Sequence, residues 1–530
     1  MTTEQVAQFL GPELIAHACD IGHEQAQMLT SLDSRDYSEL NEPREARVSA
    51  FNELVSAAKN VLTGATNPWT ALTDLVKPTA EESLVNQLRE SVGGEFPTVD
   101  SNDPVTAPLL GIAIDVFPIF LIPRVDFVSD EIIQDHASHS RFLKQLQNDE
   151  KLQKLFRGGE ATYVYNNVGS AGILPRERLA AKLINGAWWY CCLQGRMTLE
   201  DLLRRLADLV NKLRDLVTGK PIDEVCQVTM FSVELPPDTR LETPWGILRS
   251  HRSSDEMFLR PFSETLEQLF PSFQSDTPGS LPRPAAMLET SFPYQWQVHP
   301  ALKPDEEPPA NRLPAVNQLG PDAAVWALLG LAFSLALQPI QHDARPIRPL
   351  LYFHFDPLRG IRGGSSFGSG SAMMRKVTRD EAQEAERWCE KIHSHLGPSR
   401  YTAARRIQSS LEKWRRPADG LIDAVIAWDN IFGDRRAIAV LLEPPGPKRE
   451  KLQDAVKKIY DARSKLVHGG RLKPKKVAEL HQRALEIAIR ALQYLVEHKP
   501  ELLSESRNFR PLISALGGEL TGAPMEGEEA

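Results

Sequence analysis

Apolar positions recur along this chain with two different periods, and the change of period divides it into regions. Residues 1–100 read as helical: Glu45–Leu62 spaces its apolar residues by three and four, and Thr79–Glu90 resumes that spacing after Pro78. The run 104–127, PVTAPLLGIAIDVFPIFLIPRVDF, is rich in β-branched and aromatic residues punctuated by proline, which predicts strands. Helical spacing returns over Asp130–Phe156, Arg176–Gly195 and Leu199–Val217. The last is introduced by Thr198 as a helix N-cap, with Asp201 three residues on. Strand-like segments follow at Val225–Leu235, Met287–Val298 and Pro349–Phe355, with a buried helix, Ala323–Leu337, between the last two. Proline-rich polar stretches at 272–285 and 301–314 predict linkers, and Gly360–Ser371, GIRGGSSFGSGS, predicts a flexible joint.

Beyond residue 400 the helical period is continuous. Ala404, Ile407, Leu411 and Trp414 form one stripe; Leu421, Ile422, Val425, Trp428, Asp429 and Phe432 form the next. A short helix, Arg435–Leu442, precedes the break at Pro444–Pro447. Lys448–Val467 then faces Leu452, Ala455, Val456, Ile459, Leu466 and Val467 inward and stops at Gly469-Gly470. A last helix aligns Val477, Leu480, Ala484, Ile487, Ala491, Leu492 and Leu495. The fold class is therefore α+β and multidomain, a mixed α/β N-terminal body followed by an all-α helical bundle. Its expected units are a helical region 1–100, a body 101–359, a Gly/Ser-rich linker 360–377, the bundle 378–500, and a largely disordered tail 501–530.

Charge sharpens that division. The net charge is −9, yet Arg375–Pro500 carries 27 Lys+Arg against 17 Asp+Glu, leaving 34 against 53 elsewhere. A basic bundle on an acidic body fits a local site for a polyanion, because steering follows the local field. Five scattered cysteines favour a reducing compartment over a disulfide scaffold. The N-terminal residues resemble no secretory leader, and the longest apolar runs fall short of a membrane span, so a cytoplasmic protein without membrane contact is expected.

One position breaks the bundle pattern. Arg463 lies four residues after Ile459 and three before Leu466, inside the apolar stripe, and Asp429 does the same on the preceding stripe. An inward charge is costly unless paired, so the spacing predicts an Asp429–Arg463 contact. Histidine and cysteine groups (Cys389, His393 and His395; His136 and His139; His17, Cys19 and His23) lack partners at metal-ligand spacing, and neither a metal nor a cofactor is expected.

The string YDARSKLVHGG (Tyr460–Gly470) resembles the end of the signature helix of HEPN domains, specifically their ApeA-like branch, with its R-x4–6-H motif at Arg463 and His468. The upstream DGLIDAVIAWDNIF (Asp419–Phe432) resembles that branch's preceding helix, with Asp429 where a carboxylate, usually Glu, stands. Arg348-x5-His354 and Arg387-x5-His393 share the spacing without that helical context. The resemblance covers about 100 residues. It implies a metal-independent endoribonuclease, with Arg463 and His468 catalytic and Asp429, Ser464 and Tyr460 supporting. It further implies a homodimer through the bundle and a role as toxin or effector in antiphage (abortive infection) defence. Arg405, Arg406, Arg415, Arg416, Arg471, Lys473, Lys475 and Lys476 would contact RNA phosphates, tRNA among the candidate substrates. The body would restrain or direct the nuclease and bind the trigger, a phage protein or other component. Two other classes fit the same residues: a non-catalytic RNA- or nucleotide-binding module, and a regulatory or scaffold partner in a toxin–antitoxin or defence complex.

Overall fold

The computed structural model describes residues 1–31, 43–78, 83–99, 102–125, 127–156, 162–168, 171–173, 176–230, 233–252, 255, 286–299, 313, 323–337, 349–357, 360–365, 375–396, 401–413, 416–432 and 435–504. Six helices open the chain: α1 (Thr3–Leu10), α2 (Pro12–Cys19), α3 (His23–Ser31), α4 (Arg44–Leu62), α5 (Pro68–Val76) and α6 (Leu84–Ser91). Local chemistry sets their ends. Thr2 and Gln5 form a capping box on α1, Asn67 caps α5, and Ser83 caps α6.

The segment expected to form strands is a helix, α7 (Thr106–Phe120), buried on nearly every side. β-branched and aromatic content signals burial as much as it signals a strand, and here the burial is around a helix. Pro108 sits in the first turn, where no intrahelical N–H is needed. Pro118 lies in the last turn and would leave the Ile114 carbonyl without its donor. Asn86 of α6 replaces it, its Nδ2 donating to Ile114 O at 3.2 Å. Helices α8 (Asp130–Gln134), α9 (Ala137–Asn148), α10 (Leu179–Gln194) and α11 (Leu199–Val217) follow as the spacing predicts, and Thr198 caps α11 through the Asp201 N–H.

Eleven strands are described: β1 (Tyr163–Asn166), β2 (Ala171–Ile173), β3 (Ile222–Met230), β4 (Val233–Glu234), β5 (Arg240–Thr243), β6 (Gly246–Ser250), β7 (Ala286–Tyr294), β8 (Trp296–His299), β9 (Pro349–Asp356), β10 (Gly360–Ser365) and β11 (Arg375–Lys376). They make an antiparallel sheet of order β10-β9-β3-β7-β6-β5, a smaller one of order β2-β1-β8, and a parallel pair, β11-β4. The flexible joint expected from Gly360 is thus corrected over 360–365. These residues form an edge strand whose Gly363 and Gly364 stand opposite Phe353 and Tyr352. Glycine in a strand permits close approach, and α10 packs beside β10. Residues 366–374 lie outside the described ones, as do the predicted linkers 272–285 and 301–314 apart from Leu313, and the tail beyond Ser504.

The C-terminal region is helical: α12 (Ala323–Ala336), α13 (Arg379–His395), α14 (Tyr401–Glu412), α15 (Pro417–Phe432), α16 (Arg435–Leu442), α17 (Pro447–Val467), α18 (Pro474–His498) and the short α19 (Glu501–Ser504). The whole is a mixed α+β protein with a helical C-terminal region. Helix α12 packs on α13, α14 and α18, so the helical layer begins inside the segment assigned to the body. Gln493 Nε2 donates to Leu335 O at 2.9 Å, and Gly330 lets the Gln408 amide lie against the α12 backbone. The two regions are tied directly: β11 pairs with β4, Val377 N donates to Glu234 O at 3.0 Å, and α13 lies against β5. No described helix is long and apolar enough to cross a membrane.

Candidate functional site

Helix α17 carries Arg463 and leads into His468. It starts at Pro447, whose missing N–H costs nothing in the first turn, and buries Leu452, Val456, Ile459 and Ala462. Its end follows from Leu466-Val467-His468-Gly469-Gly470. Gly469 takes φ +77°, its N–H donates to Leu466 O at 3.1 Å, and the Gly470 N–H donates to Lys465 O at 2.7 Å. These two bonds make a Schellman stop, which needs a residue tolerant of the left-handed region at Gly469. His468 becomes the C-cap with ψ 19°, outside the regular helix, and its side chain is exposed. The His468 N–H still donates to Ser464 O at 3.1 Å, so helical register holds up to His468 and keeps the pair roughly 140° apart around the helix of one chain.

Arg463 is half-buried and its Nε is enclosed with no acceptor. The expected Asp429–Arg463 contact is not made. Asp429 accepts a hydrogen bond from the Tyr460 hydroxyl, while the Tyr460 ring leans on Trp428 at 5.8 Å. Tyr460 stands nearly one turn before Arg463, and its rigid ring spans the gap between α15 and α17. Among the described residues the Arg463 guanidinium has neither an ion pair nor a hydrogen bond. Tyr460 is therefore half-buried between helices, whereas Ser464 is exposed beside the pair. Val467, expected to face inward, is 50% exposed; eight residues after Ile459, it stands about 80° around the helix from it.

The expected basic residues fall into two sets. Arg471, Lys473, Lys475 and Lys476 are exposed on the turn that follows His468 and on the first turn of α18. Arg405 and Arg406 lie on α14, where they line a cavity of about 240 Å³ with Thr402 and Ser409. Arg416 is exposed at the start of α15; Trp414 and Arg415 lie outside the described residues.

Sequence reasoning missed Asp423, the carboxylate that α15 does bury. It accepts from Arg406 Nη1 at 2.7 Å, Ser409 Oγ at 2.7 Å and Lys413 Nζ, all on α14 or the turn after it. Burial opposes its charge, but the bonds from Lys413, Ser409 and Arg406 outweigh this and hold its carboxyl below the usual range. A signal was present: Arg406, Ser409 and Lys413 recur at three and four residues, one donor face awaiting an acceptor. His481 was missed as well. Buried on α18, its Nε2 lies 2.9 Å from Ser410 Oγ, with the ring against the Gly420 backbone.

The other sequence candidates have structural surroundings. His354 is buried on β9; His393 meets Trp245 edge-on at 6.1 Å; His136 Nε2 lies 2.9 Å from Asp115. His17 packs edge-on against Phe117 and neighbours Asn86. All five cysteines are buried, and none is in a disulfide. Comparison with protein-family models, with curated proteins and with solved structures found no match to this chain.

Proposed function

We propose that the chain is a metal-independent endoribonuclease of HEPN type whose reacting groups are Arg463 and His468. The observation that carries this reading is the state of Arg463: a half-buried guanidinium at a bundle surface without a carboxylate partner among the described residues. A cation is costly to hold that way for stability alone, and the cost has a use if the partner is a phosphate. His468 stands exposed beyond the helix end, with Ser464, Lys465 and Arg471 exposed around it.

In this reading the imidazole of His468 takes the proton from a ribose 2′-OH as that oxygen attacks phosphorus. The P–O2′ bond forms, the P–O5′ bond breaks, and the leaving 5′ oxygen takes up a proton. Arg463 stabilises the charge gathering on the non-bridging oxygens, and the basic turn holds the flanking phosphates. A homodimer through the bundle would set two such pairs on one cleft, and antiphage defence is the setting the sequence resemblance suggests. The test is incubation of purified full-length protein with total RNA and tRNA in EDTA. Cleavage by the wild type and none by His468→Ala or Arg463→Ala, both folded, supports the proposal. Undiminished cleavage by His468→Ala would overturn it. RNA binding with no cleavage by any of the three would favour the binding-module reading.

A further inference from the structure

The cavity of about 240 Å³ on α14 is lined by Thr402, Arg405, Arg406 and Ser409. Spaced by three and four residues, these side chains share one face of the helix. None of them belongs to α17, which carries Arg463 and leads into His468.

The bonding capacity left on these side chains decides what the cavity can hold. Thr402 and Arg405 are exposed, and neither side chain makes a hydrogen bond among the described residues. Arg406 gives Nη1 to Asp423 Oδ1 at 2.7 Å and leaves Nε and Nη2 unspent. Ser409 gives its hydroxyl proton to Asp423 Oδ2 at 2.7 Å, so it shapes the wall without adding a donor. The buried Asp423 thus anchors Arg406 at one nitrogen, while the side chain as a whole is 44% exposed. A guanidinium held in this way has less freedom to lose on meeting an anion.

Charge points to the same class of ligand. Arg405, Arg406 and Lys413 set three positive charges about the single carboxylate of Asp423, an excess of two. Thr402 lies in the first turn of α14, where main-chain N–H groups lack intrahelical acceptors and the helix dipole favours an anion. The volume is below that of most small-molecule sites, so the cavity suits a single group rather than a whole cofactor.

We infer that this cavity binds a phosphate monoester. Such a group carries about −1.5 to −2 charge units at neutral pH and presents three acceptor oxygens. That matches the two unneutralised cations and the donors of Arg405, Arg406 and Thr402. A phosphodiester or a carboxylate carries a single charge and leaves one cation unmet. The phosphate is therefore terminal, as on a 5′-mononucleotide or on the 5′-phosphorylated end of an RNA. The site goes beyond the nuclease reading and stands whether or not Arg463 and His468 cleave RNA.

The experiment is calorimetric titration of the full chain with two pairs of probes. Adenosine 5′-monophosphate is compared with adenosine, and a 5′-phosphorylated 2′-O-methyl oligoribonucleotide with its 5′-hydroxyl form. The 2′-O-methyl groups remove the nucleophile that cleavage would need. In at least one pair the phosphorylated member should bind about ten-fold or more tightly, and the pair that responds identifies the source of the phosphate. Arg405→Ala and Thr402→Glu, both at exposed positions, should each weaken that binding about ten-fold or more with unchanged thermal unfolding. Arg463→Ala should leave it intact, which separates this result from the nuclease test. No binding of either phosphorylated probe at millimolar concentration, or equal binding within both pairs, overturns the inference. So does full binding by Arg405→Ala or Thr402→Glu, or loss of binding in Arg463→Ala.

Discussion

The end of α17 and the sheet of the body handle charge in opposite ways. At α17 a guanidinium has no acidic partner among the described residues and an imidazole stands exposed; the neighbouring turn is basic and exposed. In the body, Arg249 and Asp255 are buried and mutually satisfied, and Glu224, 1% exposed, accepts from the Tyr190 hydroxyl with Lys212 3.9 Å away. A charge that is buried and fully partnered specifies a fold, because losing either member strands the other. A charge that is exposed or unmatched contributes little to folding and is free to meet a ligand. The contrast separates substitutions that should cost stability from those that should cost activity.

The sharpest way to break the contrast is to remove both kinds of residue and measure both properties. His468→Ala and Arg463→Ala should each lower RNA cleavage by about 10²–10⁴-fold. Their urea-unfolding free energies should stay within about 1 kcal/mol of wild type. Arg249→Ala should do the reverse. It strands the Asp255 carboxylate in the interior, and urea unfolding should show a loss of about 3–5 kcal/mol. If His468→Ala is the more destabilised of the two, the division between regions is wrong.

Acidity offers a second probe, because the body's buried groups titrate in opposite senses. Burial lowers His354 to about 4, and His17 likewise. Both are neutral in the fold, so their contribution is present above about 6.5 and is lost as pH falls toward 4. Burial raises the Glu224 carboxyl to about 7, with Lys212 offsetting part of the effect. Its contribution is present below the unfolded value near 4.5 and is lost as pH rises through 7. Glu224→Gln should therefore gain more stability than wild type between pH 5 and pH 7.5, by up to about 3 kcal/mol. Parallel pH profiles for the two proteins, from chemical denaturation, would refute the assignment.

Of the substitutions at buried charges, Asp423→Asn should have the smallest effect on stability, about 1–2 kcal/mol, because two of its three donors are cations on the solvent side. Wild-type stability from Asp423 persists above the ordinary carboxylate range and is lost as pH falls through its lowered value. The deficit of this variant should be constant above about pH 4 and shrink as pH falls below the ordinary carboxylate range; a deficit that does not shrink on acidification would count against the charged bonds.

Much of the bundle was legible because its signals are local. The proline at the start of α17, the glycine pair at its end and the apolar spacing between them belong to one continuous string. The partner of Asp429 was not legible, since Tyr460 and Arg463 are nearly equally placed to reach it and only the packed distance between α15 and α17 decides. Asp423 was hidden for a related reason: its acceptor role depends on α14 lying alongside α15. The α7 error came from composition. A run that is buried all round has no amphipathic period, and β-branched residues then point equally to a strand or an enclosed helix. The edge strand β10 escaped notice because its glycines hide the alternation that marks a strand, while its partner β9 supplies the ordering.

The bond from Asn86 to the Ile114 carbonyl also has a consequence for how this sequence can drift. Pro118 is tolerable while residue 86 can donate, and a buried Asn86 is worth keeping while Pro118 leaves that carbonyl open. Replacing Asn86 with leucine alone strands a main-chain oxygen; replacing Pro118 with alanine gives that oxygen a donor within its own helix. The two positions, 32 apart in the chain, are thus expected to change as a pair, the joint Leu/Ala variant being better tolerated than the Asn86→Leu single. Descent itself would record the contact, as a correlation between a polar residue in one helix and an imino acid in another.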